Sequence, residues 1–148
     1  MSFRIRHLLA AAALVCSLPP AVFAAPLFNI HSAGPDALPR SVRVAHMKML
    51  AVHLTLLSLK GDLADMEPSF DDRMRRVFTS ADLARLNARV RKTVGAFQGA
   101  GKAAGAPSGG SLVVYTPCRF ANGVRDSRVV FDPDERVAGF SWVERAAS

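Results

Sequence analysis

The chain of 148 residues is 50% hydrophobic and 21% charged, and 19 Lys and Arg outweigh 12 Asp and Glu to give a formal charge of +7. That apolar content is above the range of disordered chains, the length suits one ordinary domain, and no run of roughly 18 consecutive apolar residues is present to span a bilayer. Neither a multi-domain enzyme nor a polytopic membrane protein is expected of it.

Residues 1–24 have the layout of a secretory signal peptide. Arg4 and Arg6 form a positive start, residues 8–15 are unbroken apolar sequence, and Pro19-Pro20 precedes Ala21-Val22-Phe23-Ala24. Val22 and Ala24 satisfy the small-residue rule for cleavage after Ala24, which predicts an exported protein, periplasmic or secreted. Val15 stands where a lipoprotein would want a small residue before Cys16. Cleavage takes Arg4, Arg6 and Cys16 away, leaving a moderately basic domain with Cys118 as its single thiol and no internal disulfide.

Residues 25–40, with three prolines and Gly34, read as an extended leader, and residues 41–148 as a single domain. Val44, Met47, Leu50, Ala51, Leu54 and Leu57 recur at helical spacing, predicting a helix over 41–60 with Ser41 as N-cap and Gly61 as its stop. A short helical piece over 62–66 breaks before Pro68. A further piece over 70–78 places Phe70, Met74, Val77 and Phe78 on one side. Thr79 or Ser80 caps the next helix, with Asp82 in its first turn, the stripe Leu83, Leu86, Val90 and Val94, a basic last turn at Arg91 and Lys92, and Gly95 at its end.

Beyond Ala96 the pattern is that of strands. Residues 99–110, rich in Gly and Ala, read as a weak edge strand running into a flexible connection. Segments 112–120, 124–132 and 136–143 are of strand length, separated by Asn122-Gly123 and by Asp132-Pro133-Asp134-Glu135, both of turn chemistry. Helices followed by an antiparallel meander define an α+β fold.

Motif chemistry is mostly negative. Gly99-Ala100-Gly101-Lys102-Ala103 lacks the first glycine, the Ser or Thr and the preceding strand of a phosphate loop. His46 and His53, roughly 10 Å apart along one helix at its usual rise, are too distant to share one metal ion, His31 sits in the leader, and no zinc motif is present, so no metal or cofactor is predicted. No Gly-x-Ser-x-Gly elbow occurs. Asp71-Asp72 reads as helix-start electrostatics and Asp132 with Asp134 as turn hydrogen bonding. Arg119, beside Cys118, would depress a thiol pKa if the two were close in space. Arg73, Arg75, Arg76, Arg85, Arg89, Arg91 and Lys92 crowd the central helices as a solvated face able to attract an anionic surface.

An ordered set of short signals spans residues 61–140: Gly61-Asp62-Leu63, Phe70-Asp71-Asp72-Arg73-Met74, Val94-Gly95-Ala96-Phe97, Val113-Val114-Tyr115 running into Cys118-Arg119-Phe120, Val129-Val130-Phe131-Asp132, and Val137-Ala138-Gly139-Phe140. In these the chain resembles the bacterial family catalogued as domain of unknown function 3887. The resemblance implies a cone like that of nuclear transport factor 2 and the cystatins, with helices closing over a curved antiparallel sheet. It supplies no catalytic motif. Pro68 and the weak first strand depart from the pattern.

Three functional readings follow. The leading one is a small exported, non-catalytic binding or interaction domain that takes an apolar small ligand or a protein partner. The second is a cone-pocket isomerase or hydro-lyase. The third is electrostatic attachment to an anionic envelope surface, with membrane contact at most peripheral. Nucleic acid is not expected of an exported protein, and pairing of two copies through the open sheet face is the homodimer such an architecture allows. Period-two alternation sets Val114, Thr116, Cys118 and Phe120 on one face and Val113, Tyr115, Pro117 and Arg119 on the other. The strand polar residues nominated for a pocket or sheet-face site are Tyr115, Cys118, Arg119, Arg128 and Ser141.

Overall fold

The computed structural model describes residues 38–145. The signal-peptide reading of residues 1–24, Cys16, His31 and the leader up to Ala37 lie outside the described residues.

Helix α1 (Arg40–Lys60) starts one residue earlier than the sequence pattern implies. Ser41 is not its cap: Pro39, at φ −53°, turns the chain inward, and its carbonyl accepts from the N–H groups of Val42 and Arg43 at 2.9 and 3.2 Å. Gly61 ends the helix in the left-handed conformation at φ +83°, and the N–H of Asp62 returns to Leu57 O at 3.1 Å. Helix α2 (Leu63–Met66) tightens into a 3-10 turn (Glu67–Ser69) that carries Pro68.

Asp71 caps the short α3 (Asp72–Val77), accepting from Met74 N–H at 2.5 Å. Thr79 caps α4 (Ser80–Val94) in a capping box with Asp82. One packing expectation fails. Val77 is 61% exposed, because α3 has only six residues and docks through Met74 alone.

Five strands follow: β1 (Phe97–Ala100), β2 (Ala104–Ser108), β3 (Ser111–Phe120), β4 (Gly123–Phe131) and β5 (Val137–Glu144). All pairings between strands are antiparallel. β1 and β2 lie end to end along the same edge of β3, so the glycine-rich stretch is two short strands with a break at residues 101–103. β4 and β5 complete the sheet, and the backbone of Asp71 joins its far edge by donating to Val137 O at 2.9 Å.

The helices pack on one sheet face. Leu54, Ala51, Met66, Phe70 and Leu83 meet Val114, Val129, Phe131 and Val137 in one cluster, while Val90 and Val94 meet Cys118 and Phe120 in another. Trp142 touches both. Six rings run edge to face through the two clusters, from Phe70 to Phe78, Phe140, Trp142, Phe120 and Phe97, with successive centroids 5.7 to 6.5 Å apart.

Candidate functional site

The seam between the clusters is polar. Thr116, Ser127 and Trp142 form one cross-strand row on the inner face, with Thr55 and Ser58 contributed by α1 and Asn87 by α4. Thr55 Oγ1 donates to Ala51 O at 2.7 Å, so at its 2.5 Å contact with Ser127 Oγ the serine supplies the proton. Asn87 Nδ2 donates to Ser58 O. Thr116 Oγ1, Asn87 Oδ1 and Trp142 Nε1 are buried without protein partners. Sequence patterning passed over this row because Thr and Ser fit both strand and helix grammar.

The nominated residues divide between the two faces. Tyr115, Arg128 and Ser141 stand in one row across β3, β4 and β5 on the face turned away from the helices. Arg119 shares that face and lines a shallow depression of about 240 Å³ with Gly99, Pro117 and Arg145. In the next row Asp126, which the sequence reading passed over, carries a buried Oδ1 with no protein partner between Pro117 and Val143. These groups sit on a pleated surface and do not converge on one pocket.

Cys118 points the other way, fully buried under α4. Burial pushes its thiol up to about 11, the Asp126 carboxylate adds to that, and a backbone hydrogen bond from Ser127 offsets part of it. The depression that Arg119 would cause if it stood close to the thiol does not occur, because adjacent strand residues face opposite sides. This thiol is a poor nucleophile.

A pocket that the sequence reading did not anticipate lies where α1 ends. Leu56, Leu59 and Lys60 of α1, Arg91 of α4, and Ala96 and Phe97 at the entry to β1 surround an open groove of about 520 Å³. Its construction follows from local chemistry. Leu59 O is among the carbonyls a helix end leaves without an intrahelical donor, and Arg91 Nη2 reaches it at 3.0 Å, tying α4 to α1. Gly95 turns the chain sharply from α4, and Phe97, which lines the groove, sits edge-on against Phe120 at 5.7 Å. The lining is mostly apolar and includes two cations, Lys60 and Arg91. The signal was present in Leu56, Leu59 and Phe97, but only the fold brings residues so far apart in sequence together.

A second groove of about 340 Å³ at the opposite end of α1 includes Arg40, Val44 and Leu112, and the Arg43–Glu135 ion pair lies in its wall. His46 and His53 are exposed on α1. Among the described residues, no three His, Cys, Asp or Glu side chains are grouped to hold a metal ion. Neither the family models nor the curated proteins nor the solved structures compared with this chain give a match.

Proposed function

We propose that this chain is a small exported, non-catalytic binding domain of the nuclear transport factor 2-like, cone-shaped kind, taking a single-chain amphiphile with an anionic head in the groove between α1, α4 and β1. The observation that carries the reading is the groove itself: its size lies within the range of small-molecule sites, and it is lined by Leu56, Leu59, Ala96 and Phe97 together with the cations Lys60 and Arg91. An acyl chain would lie against the leucines and the Phe97 ring, displacing water from apolar surface, while its acid group met the two cations. The signal-peptide layout and the family resemblance support export and the cone, and the reading places the protein in the periplasm or outside the cell.

Catalysis is the weaker reading. Tyr115, Arg119, Arg128 and Ser141 lie on the opposite sheet face from Cys118, and the strongly perturbed thiol is shifted away from reactivity.

Trp142, the single tryptophan, contacts Phe120, which contacts Phe97, so its emission is a reporter for the groove. Titration with dodecanoate is expected to change that emission saturably, dodecanol to bind more weakly, and Lys60→Glu to weaken dodecanoate while leaving dodecanol unchanged. Equal binding of acid and alcohol would remove the role of the cations. No saturable change, with no amphiphile retained in native mass spectrometry of the exported protein, would remove the reading.

A further inference from the structure

Helix α1 is apolar on more sides than the fold uses. Its most apolar eighteen residues have a mean hydropathy of 1.3, yet 33% of that window is buried. A helix apolar on every side is ordinarily covered on every side. The inward side is accounted for by Met47, Ala51, Leu54 and Leu57 in the core. The outward side carries a second stripe, Val42, Ala45, Met49, Val52 and Leu56, at alternating steps of three and four residues, which runs on to Leu59 where the helix packs against the second core cluster. Val42 is 46% exposed, Met49 74% and Leu56 37%.

The formal charges that α1 itself carries have one sign. α1 contains Arg40, Arg43, Lys48 and Lys60, with His46 and His53, and not a single Asp or Glu. Arg43 is engaged by Glu135, and Lys60 lines the groove with Arg91, which extends the cationic flank onto α4. A two-fold pairing of this face with itself would bring Lys48 and Lys60 of each copy toward a helix with no carboxylate to answer them. An anionic surface answers the two lysines.

We propose that the outward face of α1 docks on a bilayer carrying anionic headgroups, with Val42, Met49 and Leu56 entering the interface and the lysines lying at headgroup level. This goes beyond the groove reading and stands on different residues, apart from Leu56, Leu59 and Lys60 where the stripe reaches the groove. The helix lies on the surface and does not cross it. Ala51, Leu54, Thr55 and Ser58 are fully or almost fully buried against the rest of the fold, and a spanning α1 would have to abandon them. A cationic helix with a narrow apolar stripe gains from apolar insertion and from attraction to acidic lipids together, so each alone gives weak attachment.

The test is co-sedimentation of the chain from Ala25 onward with vesicles of phosphatidylcholine alone or mixed equally with phosphatidylglycerol. Every described element lies beyond that start. Binding to the mixed vesicles, falling as salt rises, and little binding to phosphatidylcholine are expected. The double variant Val42→Glu, Met49→Glu alters two exposed side chains and is expected to weaken binding by about tenfold or more, since it removes apolar insertion and adds repulsion. Circular dichroism establishes that it remains folded. Arg119→Glu, on the sheet face away from the helices, lowers net charge without touching α1 and is expected to bind nearly as the parent does. Equal loss in that variant would reduce the effect to net charge and overturn the proposal. So would equal binding to both vesicle types, or no binding at all. A concentration-dependent dimer abolished by Val42→Glu, Met49→Glu, without vesicle binding, would assign the face to a second copy instead. Dodecanoate titration of the same double variant separates the two readings, because the groove is expected to bind when the docking face no longer does.

Discussion

Ser127 Oγ donates to Thr55 Oγ1 across 2.5 Å, the point at which α1 and the centre of β4 are joined by side-chain hydrogen bonding inside the core. Because the threonine proton is already committed to Ala51 O, removing the serine hydroxyl leaves the helix bond intact and takes away the cross-layer one. Ser127→Ala is expected to cost about 1 kcal/mol. A double-mutant cycle with Thr55→Val, read by urea unfolding, should give a coupling of roughly 0.5–1.5 kcal/mol; additive effects would mean that the pair is not coupled.

Gly95 sits at φ +82° and ψ −155°, a region essentially closed to side-chain-bearing residues. A Cβ there would also approach Ala121 Cβ and Asn122 Nδ2 at 3.1 Å each. Gly95→Ala is expected to destabilise the fold by about 1–3 kcal/mol through the backbone alone. Because the same residue turns the chain toward Phe97, which lines the groove, the variant should also lose dodecanoate binding under conditions where it remains folded. Unchanged thermal stability would contradict the first expectation, and retained dodecanoate binding the second.

Cys118 should resist alkylation by iodoacetamide in the native protein and react once the chain is unfolded. Its thiol is pushed up to about 11 from an ordinary 9.0, chiefly by burial, so the folded form holds its proton where the unfolded form releases it. Its contribution to stability is complete below pH 9 and declines as pH climbs from 9 to 11. Cys118→Val removes that dependence, and stability curves of parent and variant across this window are the check.

Thr79 and Asp82 define the start of α4. The Thr79 hydroxyl donates to the Asp82 carboxylate at 2.5 Å and the Thr79 N–H at 2.9 Å, and with Arg85 they hold that carboxyl below its ordinary value. The interaction contributes above pH 3.8 and is lost as pH falls through the lowered value. Thr79→Ala is expected to cost about 1 kcal/mol at neutral pH. It should also shift the Asp82 titration, followed by NMR, back toward the ordinary carboxylate range.

The parts legible in the sequence were those encoded by neighbours. Gly61, Asp71, Thr79 and Gly95 mark helix ends because capping is a matter of a few adjacent residues, and alternation along β3 separated Thr116 and Cys118 from Tyr115 and Arg119, while only the packing of the helices decides which of the two faces is the inner one. Val77 was misplaced because helical periodicity says nothing about whether a six-residue helix has anything to pack its far side against. The groove was invisible for a different reason: Leu59, Arg91 and Phe97 become neighbours only when α4 folds back along α1. The polar row hid in plain sight, since Thr55, Ser58 and Ser127 carry no periodic signal that separates a buried hydroxyl from an exposed one.

The interrupted first edge of the sheet bears on how the molecule behaves in a crowd of its own copies. A long, regular outer strand offers free backbone groups to any passing chain. Here that edge is divided between β1 and β2, bulged between Phe97 and Gly99, broken at residues 101–103, and carries Pro107, which has no N–H to give. The glycine-rich stretch that looks like a poorly made strand thereby offers a neighbouring chain only short, interrupted runs of backbone to pair with along this edge.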